Sequence, residues 1–478
     1  MHFLCIVDAE RFSGCRNLRL YGSVLRDMKR LPANNLIVPR IISVILLLVA
    51  PALAAHNVLD YGAKGDGKTL CTAAIQKAID EGGTVRFPKG TFLTGALCLK
   101  SGVTLQLDEG ATLLGSRNLQ DYAGAKGVIH GDGLHDIAIR GKGTIDGSGD
   151  AFRDKTKPRP KNFYLENCRN VVIEGLRLRS SGSWLLHCRL CENVTLRDLD
   201  VFNHVSFNND GLDIDSCRNV TITRCRVDSD DDAIVLKSLS AEPCRNVTIT
   251  DCTISSHCNA LKMGTESGGG FVDITISNCT VSSPKHSQVI YGKQRGLAGV
   301  ALEIVDGGRM ENVNVSDVKI SGVTAPIFVR LGDRGRPYAT GKKPGVGTLR
   351  NVHIRNITGT SLSPIGCAIA GLPGHPIENI TLENINLSFD GGGTLTNAVR
   401  KIPERPDGYP ESTMFGMLPA YGFYCRHVKG LRFTNVKLRT EMPDLRHAMV
   451  FEDVQNLTIN GFDAVRWPGG AELISHRK

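Results

Sequence analysis

The chain has 478 residues, of which 41% are hydrophobic and 22% are charged. This length and apolar content allow a large buried core and exclude both a disordered chain and a small disulfide-bonded scaffold. The formal net charge of +9 is modest and is spread along the chain, which does not indicate a nucleic-acid-binding surface.

The first feature along the chain is a leader-like segment. Residues 41–50 read IISVILLLVA, follow a basic flank and precede an A-x-A end, which is typical of a secretory signal peptide. The apolar run is too short to span a bilayer comfortably, although an uncleaved anchor remains the alternative. We predict an N-terminal extension and signal peptide over residues 1–54, with translation starting at Met28. Residues 55–478 then form one exported domain that keeps no membrane span.

A phosphate-loop pattern opens the predicted domain. Residues 62–69 read GAKGDGKT, residues 57–61 could form a strand before it, and residues 72–81 are amphipathic at helical spacing. Two observations argue against a nucleotide site, however. Nucleotide concentrations are low outside the cytoplasm, and no later strand offers a convincing carboxylate ligand for magnesium. We therefore interpret the segment as a turn and a short helix that covers an open end of the fold.

A short sequence repeat recurs through the rest of the chain. Asn170, Asn193, Asn219 and Asn246 each precede an alternating run such as Val-Thr-Ile, at steps of 23, 26 and 27 residues. Alternation with period two marks a strand with one buried face, and repeats of this length indicate a solenoid. Asn suits the turn because it tolerates the left-handed backbone region. We predict an all-β fold, a right-handed parallel β-helix with a short N-terminal capping helix.

The cysteines follow the same repeat. The chain has 15 cysteines, and Cys225, Cys252 and Cys279 are spaced at equal intervals of 27 residues. A buried thiol packs as a small hydrophobic group, so we expect most of these residues to be free thiols stacked in the core. A disulfide such as Cys188–Cys191 stays open as an alternative.

The candidate catalytic residues are concentrated in a group of aspartates. Asp210 and the Asp-rich segment 230–232 are about one coil apart, so their side chains should stack roughly 4.8 Å from each other. Like charges this close raise the pKa of at least one of the carboxyl groups. Enzymes that hydrolyse glycosidic bonds use a protonated carboxyl group beside an ionised one. A calcium site is one alternative. Turn preference is another, and it would account for Asp213 or Asp215.

Several motifs resemble those of glycoside hydrolase family 28, which includes polygalacturonases and rhamnogalacturonan hydrolases. The sequence Asn-Asn-Asp-Gly at residues 208–211 is similar to the family's Asn-Thr-Asp-Gly motif, and Asp231-Asp232 matches its Asp-Asp motif. Asp230 stands where the family usually has Gly. The resemblance covers nearly the whole predicted domain, including the segments 61–68, 87–92, 110–116 and 141–147.

The resemblance implies an inverting glycosidase. Asp231 would be the general acid, and Asp210 and Asp232 would activate the attacking water, with no metal and no cofactor. The pKa of the acid would be raised mostly by its carboxylate neighbours. The implied substrate is a polysaccharide or oligosaccharide of the pectin type.

Two departures from the family pattern concern substrate binding. Asn259 stands at the family's usual His, while His257 could face the same cleft by alternation. The segment Ala301-Leu302-Glu303 stands where polygalacturonases have Arg-Ile-Lys for the uronate carboxylate. The expected substrate-binding residues are Asn208, Lys237, His257, Asn259, Lys262 and Glu266, with Arg295 as a further candidate.

Two other functions remain open at this stage. A polysaccharide lyase could share the architecture, and so could a non-catalytic carbohydrate-binding solenoid. The small number of aromatic residues, 16 Phe, 9 Tyr and 2 Trp, disfavours the binding solenoid, because sugar platforms rely on ring stacking. The inserts at 332–347 and 390–419 could close the cleft ends, which leaves endo or exo action open.

Overall fold

The computed structural model describes residues 55–286, 288–338 and 341–477, which belong to one compact unit. The predicted extension, signal peptide and start at Met28 lie outside these residues, and the boundary at residue 55 stays a prediction. Among the described residues, no helix combines the length and the apolar character needed to cross a membrane.

The described elements are almost all strands. The first ones are β1 (Ala55–Asn57), β2 (Asp66–Leu70), β3 (Thr84–Phe87), β4 (Gly90–Thr94), β5 (Leu97–Cys98), β6 (Thr104–Leu107), β7 (Ala111–Gly115), β8 (Gly127–Asp132), β9 (His135–Gly141), β10 (Thr144–Asp146) and β11 (Lys161–Glu166). The middle ones are β12 (Arg169–Glu174), β13 (Arg177–Arg179), β14 (Leu186–Arg189), β15 (Glu192–Arg197), β16 (Asp200–Asn203), β17 (Leu212–Asp215), β18 (Arg218–Thr223), β19 (Arg226–Ser229), β20 (Ile234–Ser238), β21 (Cys244–Thr250) and β22 (Thr253–Ser256). The last ones are β23 (Asn259–Ser267), β24 (Gly270–Ser282), β25 (Ala298–Ile304), β26 (Arg309–Ser321), β27 (Ala325–Leu331), β28 (Thr348–Leu362), β29 (Cys367–Ala370), β30 (Ile377–Phe389), β31 (Ala420–Thr440), β32 (His447–Ala464) and β33 (Ile474–Arg477).

Helices are few among the described residues. Two α-helices are α1 (Thr72–Asp80) and α2 (Leu395–Ala398), and three short 3₁₀ helices cover Val58–Tyr61, Leu119–Tyr122 and Gly149–Ala151.

The strands pair with strands one coil away. In the central coils each strand bonds in parallel to the third strand before it and the third after it, as β14, β17 and β20 do. The chain therefore winds as a right-handed parallel β-helix, and the predicted fold is confirmed. Since no coil buries its apolar face alone, stacking supplies the missing surface.

The repeated Asn residues form a ladder along one corner of the solenoid. Asn170, Asn193, Asn219 and Asn246 all have left-handed backbones, with φ between 53° and 56°. The side-chain amides of Asn193, Asn219 and Asn246 each donate to the amide oxygen of the Asn one coil before, at 2.9 to 3.0 Å. The amide of Asn170 donates instead to Asp136 Oδ1 at 2.7 Å. One residue type thus satisfies both the turn conformation and the stacking between coils.

The cysteines line the core as predicted. Among the described residues 13 cysteines are free thiols, and all of these except Cys98 are buried. Cys188 and Cys191 are both free, so the disulfide that the sequence left open is not formed.

The start of the domain is a cap rather than a nucleotide site. The carboxylate of Asp66 accepts the backbone N–H groups of Lys68 and Thr69 at 2.9 and 2.8 Å, which uses the donors that a phosphate would need. Helix α1 buries Ile75 and Ile79. The strand that residues 57–61 could have formed is not present, because Asn57 caps a 3₁₀ helix over Val58–Tyr61.

The register of the central strands positions the site. Leu212, Ile234 and Leu261 are partners in successive coils and are all buried in the core. The next residue in each strand, Asp213, Val235 or Lys262, points to the opposite face by alternation. Asp213 and Lys262 are nevertheless buried, because other groups cover this face.

Candidate active site

Turns from neighbouring coils bring the predicted carboxylates together. Asp210 lies just before β17, and Asp231 and Asp232 lie just before its neighbour β20. The backbone N–H of Gly211 donates to the carbonyl of Asp232 at 2.9 Å, and the N–H of Asp231 donates to the carbonyl of Asn209 at 3.3 Å. The two turns therefore pair through their backbones, which places the three carboxyl groups at one spot.

The side chain of Asn209 fixes the turn that presents Asp210. Its Oδ1 accepts the backbone N–H groups of Val205 and Ser206 at 2.7 and 2.6 Å, and its Nδ2 donates to the carbonyl of Ser181 at 2.9 Å. Asn209 is fully buried, so its amide groups replace the water that would otherwise solvate this loop.

Lys237 of β20 is the central cation of the site. Its Nζ lies 3.1 Å from Asp210 Oδ2, 3.3 Å from Asp213 Oδ1 and 3.6 Å from Glu266 Oε2. The same Nζ is 4.1 Å from the centre of the Trp184 ring. Burial opposes the charge of Lys237, but the carboxylates outweigh it and raise its pKa well above the usual value. The ammonium therefore stays protonated.

A second lysine serves Asp232. Lys262 of β23 places its Nζ 3.0 Å from Asp232 Oδ2. The other oxygen of Asp232 accepts the side-chain amide of Asn259 at 2.8 Å and the backbone N–H of Asn259 at 3.2 Å. Three donors thus contact the two oxygens of the Asp232 carboxylate.

Asp231 has no such cation. Among the described residues it forms no ion pair; its Oδ2 accepts the amide of Asn208 at 3.3 Å, and its Oδ1 accepts the N–H of Asp232 at 3.0 Å. Burial raises the pKa of Asp231 to about 6, and the carboxylate of Asp232 adds to the rise. The sequence-based attribution of this rise mainly to neighbouring carboxylates is therefore wrong, because burial is the larger cause.

Asp213 belongs to the cluster, although turn preference seemed able to account for it. It lies within β17 rather than in a turn, is fully buried and contacts Lys237. Burial raises its pKa to about 7, against the opposing charge of Lys237. Burial also raises the pKa of Asp210 well above its usual value, again opposed by Lys237.

The groups around the carboxylates favour ion pairs with lysine over the calcium site that the sequence left open. The ammonium groups of Lys237 and Lys262 already lie against Asp210, Asp213 and Asp232. A calcium ion would have to compete with these two fixed cations for the same oxygen ligands.

Comparisons with known proteins identify the family of the chain. The profile of glycosyl hydrolases family 28 matches residues 79–406. The chain belongs to glycosyl hydrolases family 28. It is 32% identical to a probable polygalacturonase of Vitis vinifera over 38% of this chain and 45% of that protein. It is 24% identical to an exopolygalacturonase of Zea mays over 72% of this chain and 86% of that protein.

A solved structure shares the fold. The exopolygalacturonase of Thermotoga maritima superposes with a TM-score of 0.63 at 22% identity, covering 81% of this chain and 92% of that one. Membership of family 28 makes the protein a glycoside hydrolase.

The segment that departs from the Arg-Ile-Lys motif of family 28 lies beside the cluster. Lys262 pairs in register with Ala301, one coil further along, so a cation is present one coil before the expected position. Glu303 is fully buried 3.9 Å from Lys262 Nζ, and neither of its carboxyl oxygens has a hydrogen-bond partner. Burial raises the pKa of Glu303 to about 8, with Lys262 opposing.

Sequence reasoning missed several residues that surround the cluster. Arg334 Nη2 lies 4.0 Å and Arg336 Nη1 3.9 Å from Glu266 Oε1, and Thr265 Oγ1 donates a hydrogen bond to the Tyr409 hydroxyl at 3.1 Å. These residues come from the inserts at 332–347 and 390–419, so both inserts reach the site. Trp184 is a further residue beside the cluster that sequence reasoning missed. None of these residues belongs to a recognised motif.

Other predicted residues lie away from the carboxylates. His257 is fully buried and contacts the carbonyl of Lys293 through Nδ1 at 3.0 Å. Asp230 accepts the backbone N–H groups of Ile290 and Tyr291 at 2.9 and 2.7 Å instead of joining its two neighbours. Arg295 is exposed and pairs with Asp390. The expectation that His257 and Asn259 share the cleft is therefore wrong, because only Asn259 contacts the cluster.

Proposed function

We propose that the protein is an exported, inverting glycoside hydrolase that cleaves a pectin-like polysaccharide. Asp231 is the general acid, and Asp210 and Asp232 activate the water. The observation that carries this proposal is the unequal pairing of the three carboxyl groups. Asp210 and Asp232 each have a lysine at about 3 Å, whereas Asp231 forms no ion pair among the described residues.

The unequal pairing assigns the proton. Asp231 has no cation at ion-pair distance among the described residues, and burial raises its pKa to about 6, so it holds a proton at mildly acidic pH. Burial also raises the pKa values of Asp210 and Asp213, but the ammonium of Lys237 lies against both carboxyl groups and favours their charged forms. Asp231 therefore donates its proton to the glycosidic oxygen as the bond to the anomeric carbon breaks. Asp210 and Asp232 take a proton from the water that attacks the same carbon from the opposite face.

The substrate contacts follow from the same cluster. Asn208, Lys237, Asn259, Lys262 and Glu266 surround the three carboxyl groups, and we propose that they bind the sugar hydroxyl and carboxylate groups. The relatives from Vitis vinifera and Zea mays are polygalacturonases, which supports an acidic sugar as the substrate. Arg334 and Arg336 add positive charge next to Glu266. Export rests on the leader predicted within residues 1–54.

Product analysis on a panel of pectic polysaccharides tests the reaction. We expect sugars with a free reducing end, inverted anomeric configuration and a mass increased by one water per cleavage. A lyase would instead yield unsaturated products that absorb ultraviolet light, and a binding solenoid would yield no product. Retained configuration would contradict the assignment of water activation to Asp210 and Asp232.

The pH profile tests the role of Asp231. Because the acid must be protonated, kcat/KM should fall as the pH rises through the raised pKa of Asp231, about 6. An ordinary aspartic acid would lose its proton near pH 4, so the same loss would already occur about two pH units lower. Initial rates from about pH 4 to about pH 8 measure this limb. A rate that does not change across that range would rule out Asp231 as the acid.

A further inference from the structure

A second group of titratable residues lies outside the carboxylate cluster. His204, His257 and His286 each offer one ring nitrogen, and these nitrogens lie within 4.8 Å of one another. His204 follows β16, His257 follows β22, and His286 lies in the loop after β24. The loop and separate coils of the solenoid therefore meet at one point.

The ring contacts in this group are close. His204 Nε2 lies 3.3 Å from His286 Nε2, and the ring centres of His204 and His286 are 4.2 Å apart. The ring of His257 is 5.4 Å from that of His204 and 5.2 Å from that of His286. Two nitrogen ligands of one tetrahedral zinc ion are about 3.3 Å apart, because zinc–nitrogen bonds are about 2.0–2.1 Å long.

His257 gives an independent indication of a ligand. It is fully buried, and its Nε2 has no hydrogen-bond partner. Its other nitrogen, Nδ1, contacts the carbonyl of Lys293 at 3.0 Å. A proton on Nδ1 that is donated to this carbonyl leaves the Nε2 lone pair free, and this is the usual second contact of a metal-binding histidine.

An acidic residue completes the set. Asp228 Oδ1 lies 2.8 Å from His204 Nε2 and 4.0 Å from His286 Nε2. Asp228 lies in β19, the strand between β16 and β22 in the stack, so it comes from the coil between those that lead to His204 and His257. Imidazole and carboxylate ligands together suit a borderline divalent metal ion such as Zn²⁺.

We propose that His204, His257 and His286, with Asp228, form a site for one divalent transition metal ion. The ion ties the loop that follows β24 to the solenoid. Asp230 holds the same loop through the N–H groups of Ile290 and Tyr291. Asp230 directly precedes Asp231 in the chain, so the metal anchors the loop next to the turn that carries the proposed catalytic acid.

Metal binding to the whole protein tests this proposal without relying on activity. We expect the chelator-treated protein to bind one Zn²⁺ per chain, measured by titration calorimetry and elemental analysis. Co²⁺ should give the visible absorption of a tetrahedral site. The variant His286→Gln should bind at least about tenfold more weakly, whereas the exposed-site variant His135→Gln should bind like the wild type.

Proteolysis gives a readout on the loop itself. Lys285, Lys293 and Arg295 are exposed trypsin sites in the loop. Bound Zn²⁺ should slow cleavage at these sites in the wild type and in His135→Gln but not in His286→Gln. Equal Zn²⁺ affinity in the wild type and His286→Gln would overturn the proposal. A wild-type protein that gives no tetrahedral Co²⁺ spectrum would overturn it as well.

Discussion

The substitution Asp231→Asn should lower kcat on the natural polysaccharide by about 10²–10⁴-fold, because it removes the proton donor while preserving the shape of the side chain. The melting temperature at neutral pH should stay the same or rise. Burial raises the pKa of Asp231 to about 6, so its ionised form is penalised at neutral pH, and the amide avoids that penalty. Steady-state kinetics and thermal unfolding of the same preparations provide both measurements.

An activated substrate separates the acid from the water-activating residues. An aryl glycoside with a good leaving group needs little protonation, so Asp231→Asn should recover much of its activity on it. Asp232→Asn should remain slow on both substrates, because the attack of water is still impaired. Wild-type rates for Asp231→Asn on the polysaccharide would remove Asp231 from the mechanism. Equal losses for both variants on the aryl glycoside would contradict the division of roles.

Replacing Lys237 with Met should cause the largest loss of stability among the site substitutions. The ammonium of Lys237 lies within 3.6 Å of Asp210, Asp213 and Glu266, and Met leaves these carboxyl groups without their common cation. Breaking a buried ion pair by removing one partner costs about 3–5 kcal/mol. We therefore expect a clear drop in the melting temperature and in the urea midpoint, together with loss of activity.

A double substitution tests the cause of that loss. In Lys237→Met/Asp213→Asn one of the unpaired carboxyl groups is gone, so part of the lost stability should return. The control Lys319→Met changes an exposed lysine on β26 and should leave the melting temperature nearly unchanged. If Lys237→Met unfolds at the same temperature as Lys319→Met, the ion pairs around Lys237 do not stabilise the fold.

Much of the fold could be predicted from the sequence because its signals are local and repeated. The Asn turns and the alternating runs after them recur coil after coil, and residues such as Asn193 and Asn219 stack as their spacing indicates. The motif at residues 208–211 and the pair Asp231-Asp232 also resemble family 28, which the match over residues 79–406 confirms. Side-chain direction was harder to predict at turns, where period-two alternation does not hold.

The surroundings of the carboxylates were missed for a related reason. Trp184 lies outside the motifs, and Tyr409 and Arg334 come from inserts that have no repeat pattern. Turn preference was one alternative for Asp213 or Asp215, yet the burial of Asp213 and its contact with Lys237 depend on strands from different coils. No sequence signal linked the three histidines near Asp228 to one another, because two coils and a loop separate them.

The amino-acid sequence by itself determined the winding of this protein and the coil-to-coil spacing of Asp210, Asp231 and Asp232. A periodic chain stacks equivalent positions, so sequence distance converts directly into spatial distance. Only the tertiary structure decided which carboxyl group receives a lysine and which does not. That outcome depends on the reach of long side chains and on burial by distant loops, and both arise only when the coils and inserts have packed together.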